Sequence, residues 1–463
     1  MKKIQYILAI ALLTAVSSLS TFAQQNLRTA YFLDGYTYNY KLNPAMAPER
    51  AFFAVPMIGN FGVGAETNLA VSTFLYPTGN GNMTTFLNES IDGKEFLGKL
   101  NTLNNINASV NENLMAMGFR IGKTFHTIDL SLKADVSASL PKDLFAFIKT
   151  GSSDGATSWD ISRTGVRADS RLELAYGFSV SVTDWMRIGA RAKFLVGIVR
   201  ADAVIDDLQL KMTGEEWSVT GHGNAEISVP TLILDDIEEI DDAMEEYYSD
   251  PSTGFAFDLG ASFDFLEYFT ASVSVLDLGS IKWNQTTTAV MPGGKWSYGG
   301  FDNISFADGG GIDSELDKLG ESLEDMLKME ITGEGIKKTN SLAATVHAGL
   351  EVRMPFYERL TFGVLGTKRI DGIYSWTEGR VSANLAPTNW FSLAGSCAVS
   401  EFGNSVGGVV NIHLPGLNLY AGLDSFLPLM NVTPQYIPID SANTNLTAGL
   451  TLTFGKAKGR YRN

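Results

Sequence analysis

The sequence contains a single cysteine, Cys397, and only four histidines, His126, His222, His347 and His413. One cysteine excludes a disulfide within the chain, and four scattered histidines exclude the short-spaced ligand pairs of zinc enzymes. Cations are also scarce, with 35 Lys and Arg against 51 Asp and Glu and a formal charge of -16. Binding to nucleic acid needs clustered cations facing phosphates, so that class of function is excluded too. Beyond the first residues, no apolar run approaches the roughly 18 positions of a transmembrane helix. That absence says nothing about barrels, whose strands are short and alternate.

The chain opens "MKKIQYILAIALLTAVSSLSTFAQQ", two lysines followed by an apolar run and then small residues. This layout predicts a signal peptide over 1–23, cut after Ala23. Loss of Lys2 and Lys3 takes the formal charge from -16 to about -18. No cysteine follows the cut, so a lipid anchor is not expected there.

Glycine and aromatic residues are plentiful: 46 glycines, and aromatics at 11% of the chain. Both suit an all-β protein with tight turns. In "DWMRIGARAKFLVGIV" (184–199), Met186, Ile188, Ala190, Ala192, Phe194, Val196 and Ile198 share one parity, and Arg187, Gly189, Arg191 and Lys193 the other. Strict alternation of this length is the period of a strand with two differently solvated faces. In a soluble sandwich the apolar face is the core; in a transmembrane barrel it meets lipid and the charged face lines the inside.

The rest of the chain decides between the two. Alternating runs joined by short turns recur at 113–140, 168–199, 254–279, 341–366, 379–400 and 406–426, and single runs lie between Asn60 and Tyr76 and at 446–455. Six hairpins and two outer strands make about fourteen, an even number as single-chain outer-membrane barrels have. Longer connections at 77–112, 138–167, 200–253, 278–340 and 425–445 fall on the side opposite the short turns, as barrel loops do. Trp185, Tyr268, Tyr357, Trp390 and Phe391 sit near the turns, where an interfacial girdle belongs. The lumen parity collects Arg120, Asp129, Lys133, Asp135, Arg171, Glu173, Arg187, Arg191 and Lys193, joined later by Glu351, Arg353 and Arg380. Charges of both signs suit a plugged interior, where they pair with each other or with the plug.

Several loops carry helical patterns. Pro141 opens a segment with Leu144, Phe145, Phe147 and Ile148, and 313–329 repeats Leu316, Leu319 and Leu323 at helical spacing. These helices either cap the barrel mouth or line an apolar entry groove. The acidic run 235–246 has carboxylates suited to Ca²⁺ but lacks EF-hand spacing and its turn glycine, so a solvated helix face is expected. His347 and Glu351, four residues apart on the lumen parity, are compatible with a proton relay, though a satisfied polar pair is the simpler expectation. No motif points to a Ser-His-Asp site. We therefore expect no enzyme, no cofactor and no metal.

Residues 24–58 are aromatic, broken by Pro44, Pro48 and Pro56, and too irregular for a membrane strand. Within them "LNPAMAP" (42–48), followed by "AFFAVPMIGNFGVG" (51–64), is similar to the start of a Bacteroidota outer-membrane barrel family of unknown function. It also resembles the Asn-Pro-Ala of the FadL-like long-chain fatty-acid transporters, including PorV-type barrels of the type IX secretion system, and "SVLDLGSIKWN" (274–284) adds to the likeness. The resemblance implies a fourteen-stranded barrel whose N-terminal hatch occupies the lumen, with Asn43, Pro44 and Ala45 matching the hatch motif. It also implies hydrophobic substrates that enter from the extracellular loops and leave sideways through the wall.

The expectation is thus an all-β, transmembrane, antiparallel up-and-down β-barrel of about 14 strands, with an N-terminal hatch and helical extracellular loops, in the bacterial outer membrane. Its parts are a signal peptide (1–23), the hatch (24–58), the barrel (59–455) and a basic periplasmic tail (456–463). Its partners would be outer-membrane lipid and hydrophobic small molecules. The alternative is a non-transporting barrel that serves as partner or scaffold of a secretion or other outer-membrane complex.

Overall fold

In the computed structural model, charged side chains are buried while large apolar ones lie on the surface. Arg191, Lys193, Glu173 and Asp258 are each at most 3% exposed, whereas Tyr176, Phe255, Phe257 and Leu259 are between 48% and 63% exposed. That inversion answers the question posed by the 184–199 alternation: the apolar face points outward, as it does in a barrel bathed by lipid. The structure describes residues 26–78, 82–151, 157–213, 216–228, 250–299, 321–322, 325, 327–425 and 443–455.

Among the described residues, eighteen strand segments form one antiparallel sheet, and joining the collinear pieces gives fourteen barrel strands. These are β1 (Ala51–Ala54 and Phe61–Thr67), β2 (Leu103–Ile121), β3 (Thr124–Pro141), β4 (Ser158–Asp160 and Thr164–Ser181), β5 (Met186–Met212), β6 (Trp217–Ser228 and Thr253–Phe265) and β7 (Phe269–Tyr298). They continue with β8 (Glu330–Ser341 and Ala344–Arg353), β9 (Leu360–Ile370), β10 (Trp376–Thr388), β11 (Phe391–Ser400), β12 (Gly403–Leu414), β13 (Leu417–Leu423) and β14 (Thr444–Phe454). Both pieces of β1 pair with β14 on one side and β2 on the other, which closes the barrel and leaves no edge there. The six hairpins lie where the alternation puts them.

Three features depart from the sequence reading. First, the wall begins at Ala51 rather than near Asn60, and β1 is interrupted at 55–60, where Met57 takes φ 63° and Met57 and Ile58 are 67% and 55% exposed. Pro56 lacks the amide a continuous ladder would need there. Second, much of the supposed long connections 200–253 and 278–340 is strand: β5 and β7 run for 27 and 30 residues. Third, β9 to β10 and β11 to β12 are joined by short turns at the end opposite the six hairpins, so loop length is not sorted cleanly by side.

β6 is broken in a different way. Its two pieces run in the same direction between β5 and β7, yet 24 residues separate Ser228 from Thr253. On β5 the partners of those two residues are Arg200 and Val196, and on β7 they are Thr286 and Lys282. Among the described residues, the β6 ladder therefore stops at Ser228 and resumes at Ser252, whose carbonyl accepts from the Gly197 amide at 2.8 Å, midway along two continuous strands.

Of the loop helices, Lys142–Thr150 forms as expected behind Pro141. Phe145 packs with Leu69, Phe96 and Leu100 in a small core that also holds Phe74 and Phe86. The acidic run 235–246 and the pattern at 313–320, with Leu316 and Leu319, lie outside the described residues, as do Leu323, the signal peptide and the basic tail.

Candidate functional site: the filled lumen

Residues 26–50 lie against inward-facing residues of the barrel wall. Leu27, Ala30, Tyr31, Leu33, Tyr38, Tyr40 and Leu42 are at most 2% exposed. The segment is held by short 3-10 turns (Arg28–Ala30 and Thr37–Lys41), which suit a proline-punctuated stretch that neither strand nor long helix would accept. Tyr36 packs edge-on to Tyr420 and Tyr38 edge-on to Phe52, while Tyr40 tilts against Phe52 at 33°, all against β1, β2 and β13. Phe32 and Leu42 join Met46 and Leu365 on the other side.

Asn43, Pro44 and Ala45 come together at the wall. The Asn43 side-chain amide donates to the carbonyls of Ala261 and Val273 at 3.3 Å and to the Tyr31 hydroxyl at 3.1 Å, while its oxygen accepts from the Ala45 amide at 3.0 Å. Pro44 rests on Gly189 and Gly260, where a Cβ would overlap the Pro44 carbonyl and the Asn43 side chain respectively. The glycines at those two wall positions make room for the segment to approach.

The lumen-parity charges form a balanced network around it. Arg191 donates to Asp129 at 2.9 Å and to Asp258 at 2.8 Å. Lys193 meets Asp258 at 2.7 Å and Asp277 at 2.6 Å, and Lys133 meets Glu173 at 2.8 Å. Lys41 of the N-terminal segment completes the set, 3.5 Å from Asp129. Four cations thus face four carboxylates, which is how a lumen carries buried charge without a large unpaired penalty. Asp277 reaches this centre from a left-handed backbone (φ 59°), and its amide donates to Asp258 at 2.8 Å.

A second cluster tethers the segment's start. Asp424 accepts from the amides of Arg28 and Thr29 at 3.0 and 2.8 Å and from the Thr29 hydroxyl at 2.6 Å. The Arg28 guanidinium contacts Glu66 and lies 3.1 Å from Glu378, which also binds Arg380 at 2.9 Å. Sequence parity found only Arg380 of this site. Arg28 lies outside any strand, and Asp424 follows the end of one.

Asp135 and Arg171 pair at 3.4 Å toward the end opposite the hairpins. Arg120 and Arg187 line a cavity of about 410 Å³ at the hairpin end, bounded above by Tyr31 to Tyr36 and Ala45 to Glu49. His347 is buried with Nδ1 3.0 Å from the Thr367 hydroxyl, an ordinary satisfied pair. Of the loop residues, Phe145 is enclosed in its own core, Phe147 packs edge-on to Trp159 at 5.3 Å, Leu144 is half-buried and Ile148 is exposed. The described residues therefore do not assemble these side chains into one open groove. No group of three metal-ligating side chains occurs among the described residues.

Burial lowers the Lys41 ammonium to about 8 and pushes the hydroxyls of Tyr31, Tyr36, Tyr38 and Tyr40 upward. Between pH 8 and the unfolded lysine value of ~10.4, the released segment binds a proton that the docked one has lost, so docking strengthens with pH across that window. Above ~10 the released tyrosines ionise while the docked ones stay neutral, so docking weakens again. Protease protection of the segment should accordingly peak between these limits. Lys41→Met should abolish the rising limb alone, and a flat profile in the parent protein would contradict the assignment.

Residues 44–424 match a family of unknown function, DUF5723. The chain belongs to that family. No functionally curated protein matches this DUF5723 member in sequence. Among solved structures, the Pseudomonas putida toluene transporter TodX aligns over 93% of the chain and 98% of its own, at 9% identity and a TM-score of 0.41. A Pseudomonas aeruginosa FadL homologue aligns over 94% and 99%, at 12% identity and a TM-score of 0.39. The translocator domain of the Neisseria meningitidis autotransporter NalP aligns over 89% and 90%, at 6% identity and a TM-score of 0.32. Likeness at this level assigns no function, and the fourteen strands of this DUF5723 barrel rest on their own hydrogen-bonded ladder.

Proposed function

We propose that this DUF5723 member is an outer-membrane barrel that binds or passes hydrophobic small molecules, with residues 26–50 as a hatch that closes the lumen to water. The hairpin end then faces the periplasm, and the long ends of β5 to β8 project outside the cell.

One observation carries the reading. The break in β6 lies beside an inward-facing apolar patch of Leu195, Ala256, Ile281 and Trp283, each at most 2% exposed, in a lumen that is otherwise polar near this height. Outward-facing Phe194, Phe255 and Leu278 lie just on the periplasmic side of it, and exposed Lys282 is level with it, so the break falls at the outer rim of the lipid-facing band. A hydrophobic solute partitioning from the outer leaflet would meet an interrupted wall backed by apolar side chains, which avoids the charged centre. Hydrogen bonds from Asn284 to Asp250, Pro251 and Ser252 hold the lower margin of the break.

The test is reversible. In a Cys397→Ser background, Ser252→Cys and Asn284→Cys place two thiols across that margin. Uptake of a fluorescent long-chain fatty acid and of a monoaromatic hydrocarbon should fall to the level of cells lacking the protein on oxidation and recover on reduction. Uptake equal to that of cells lacking the protein in both states would end the proposal. A sealed, ion-paired lumen favours the second reading, a scaffold for a secretion or other outer-membrane complex, and a stoichiometric co-purifying protein without bound ligand would select it.

A further inference from the structure

The turn between β9 and β10 does not stay at its own side of the barrel. Asp371 contacts Arg167 of β4, and Arg369 of β9 lies 3.9 Å from Asp135 of β3. Tyr374, 3% exposed, lies under the Arg167 guanidinium at 4.7 Å, with its hydroxyl 3.5 Å from Asp202 of β5. β3 and β10 are seven strands apart in a ring of fourteen, so this turn spans the barrel's diameter. Gly165 of β4 receives it: a Cβ there would come within 2.6 Å of the Tyr374 hydroxyl and 2.8 Å of the Ile373 side chain.

The crossing is charge-matched. Arg167, Arg171, Arg200 and Arg369 meet Asp135, Asp169, Asp202 and Asp371, with Arg167 and Arg200 each 2.8 Å from Asp202. The turn is also internally braced, since Ser375 Oγ accepts from the Asp371 amide and donates to the Gly372 carbonyl, each at 2.8 Å. Between the Asp135–Arg369 pair that flanks the turn and the N-terminal segment lies a polar chamber of about 70 Å³, lined in part by Arg28, Lys133, Asp135, Thr345 and Arg369. By volume it has room for only a few waters.

We propose that residues 371–375 form a salt-locked crossbar, a second seal in series with the hatch, so that the barrel excludes water from outside even when the hatch moves. This rests on the reading of the barrel as a closed conduit in the outer membrane. It deepens that reading by separating the aqueous closure from the route at the β6 break. The crossbar holds β9 and β10 against β3, β4 and β5, and its opening requires the Arg167 contacts to Asp371 and Tyr374 to part together.

The experiment uses the full chain in intact cells, with Cys397→Ser and a reporter thiol in the chamber at Thr345→Cys. A membrane-impermeant charged maleimide applied outside should label Cys at 345 slowly, compared with a control thiol at exposed Glu330→Cys. Loosening the crossbar with Asp371→Ala and Tyr374→Ala should raise the rate roughly tenfold, because local opening then costs less free energy. Asp424→Asn, which loosens the hatch tether instead, should leave it slow. Correct folding of each variant is checked by heat-modifiable migration, and Asp371→Asn with Tyr374→Phe serves as a milder pair if the alanines misfold. Labelling as fast as the control in the parent, or unchanged in both loosened pairs, overturns the crossbar. Uptake by the thiol-pair variant of the β6 break is measured separately, so failure of the conduit reading would appear there and not in the labelling rate.

Discussion

Replacing Arg191 by methionine is expected to destabilise the barrel by about 3–5 kcal/mol, the range for removing one partner of a buried ion pair. Arg191 is 3% exposed and bridges Asp129 and Asp258, both fully buried. Without it, two carboxylates remain in the lumen centre with Lys41 and Lys193 as their only cations within 4 Å among the described residues. Methionine preserves most of the packing volume, so the loss reports charge rather than a cavity. Denaturant unfolding in detergent, followed by tryptophan fluorescence and heat-modifiable migration, measures it. Adding Asp258→Asn should recover much of the stability, since three lysines then face three carboxylates, with Lys41 beside Asp129 and Lys193 beside Asp277. An Arg191→Met protein with an unchanged unfolding midpoint would show that the network is hydrated and contributes little.

The second large effect is expected at Gly260. Valine there should expel Asn43 and Pro44 from the wall while leaving the strand itself sound, because a β-branched residue suits strand geometry. Lys41 and Arg28 are 5% and 3% exposed and resist trypsin while the segment is docked. In Gly260→Val, and likewise Gly189→Val, both should become cleavable with the barrel still heat-modifiable. Gly379→Val is the control, since a Cβ there meets nothing within 4 Å. Continued resistance in both variants would mean that the segment is held without the Asn43–Pro44 contact.

The fourteen strands and their two faces could be read from the sequence because lipid outside and a polar lumen inside force alternation at almost every wall residue. Legibility ends where that contrast ends. Above the band, at Gln209 to Met212 of β5 or Thr286 to Thr288 of β7, both faces meet water or other protein, the alternation fades, and strand reads as loop. The inward parity found Asp129, Glu173, Arg191 and Lys193, but parity names a face and not a partner. Nothing in the sequence joined Arg28 to Asp424, or Arg167 to Asp371 across the lumen. Asn43 to Ala45 stood out only through a resemblance, and their contact with Gly189 and Gly260 is a matter of three-dimensional fit.

The tether between Arg28, Thr29 and Asp424 spans 396 and 395 residues of chain. Contacts of such sequence separation form late, because the intervening loop must first be closed by nearer pairings. The segment that begins at Arg28 is thus among the last to settle. It waits until β13 has delivered Asp424, and its docking registers that the cylinder has been completed.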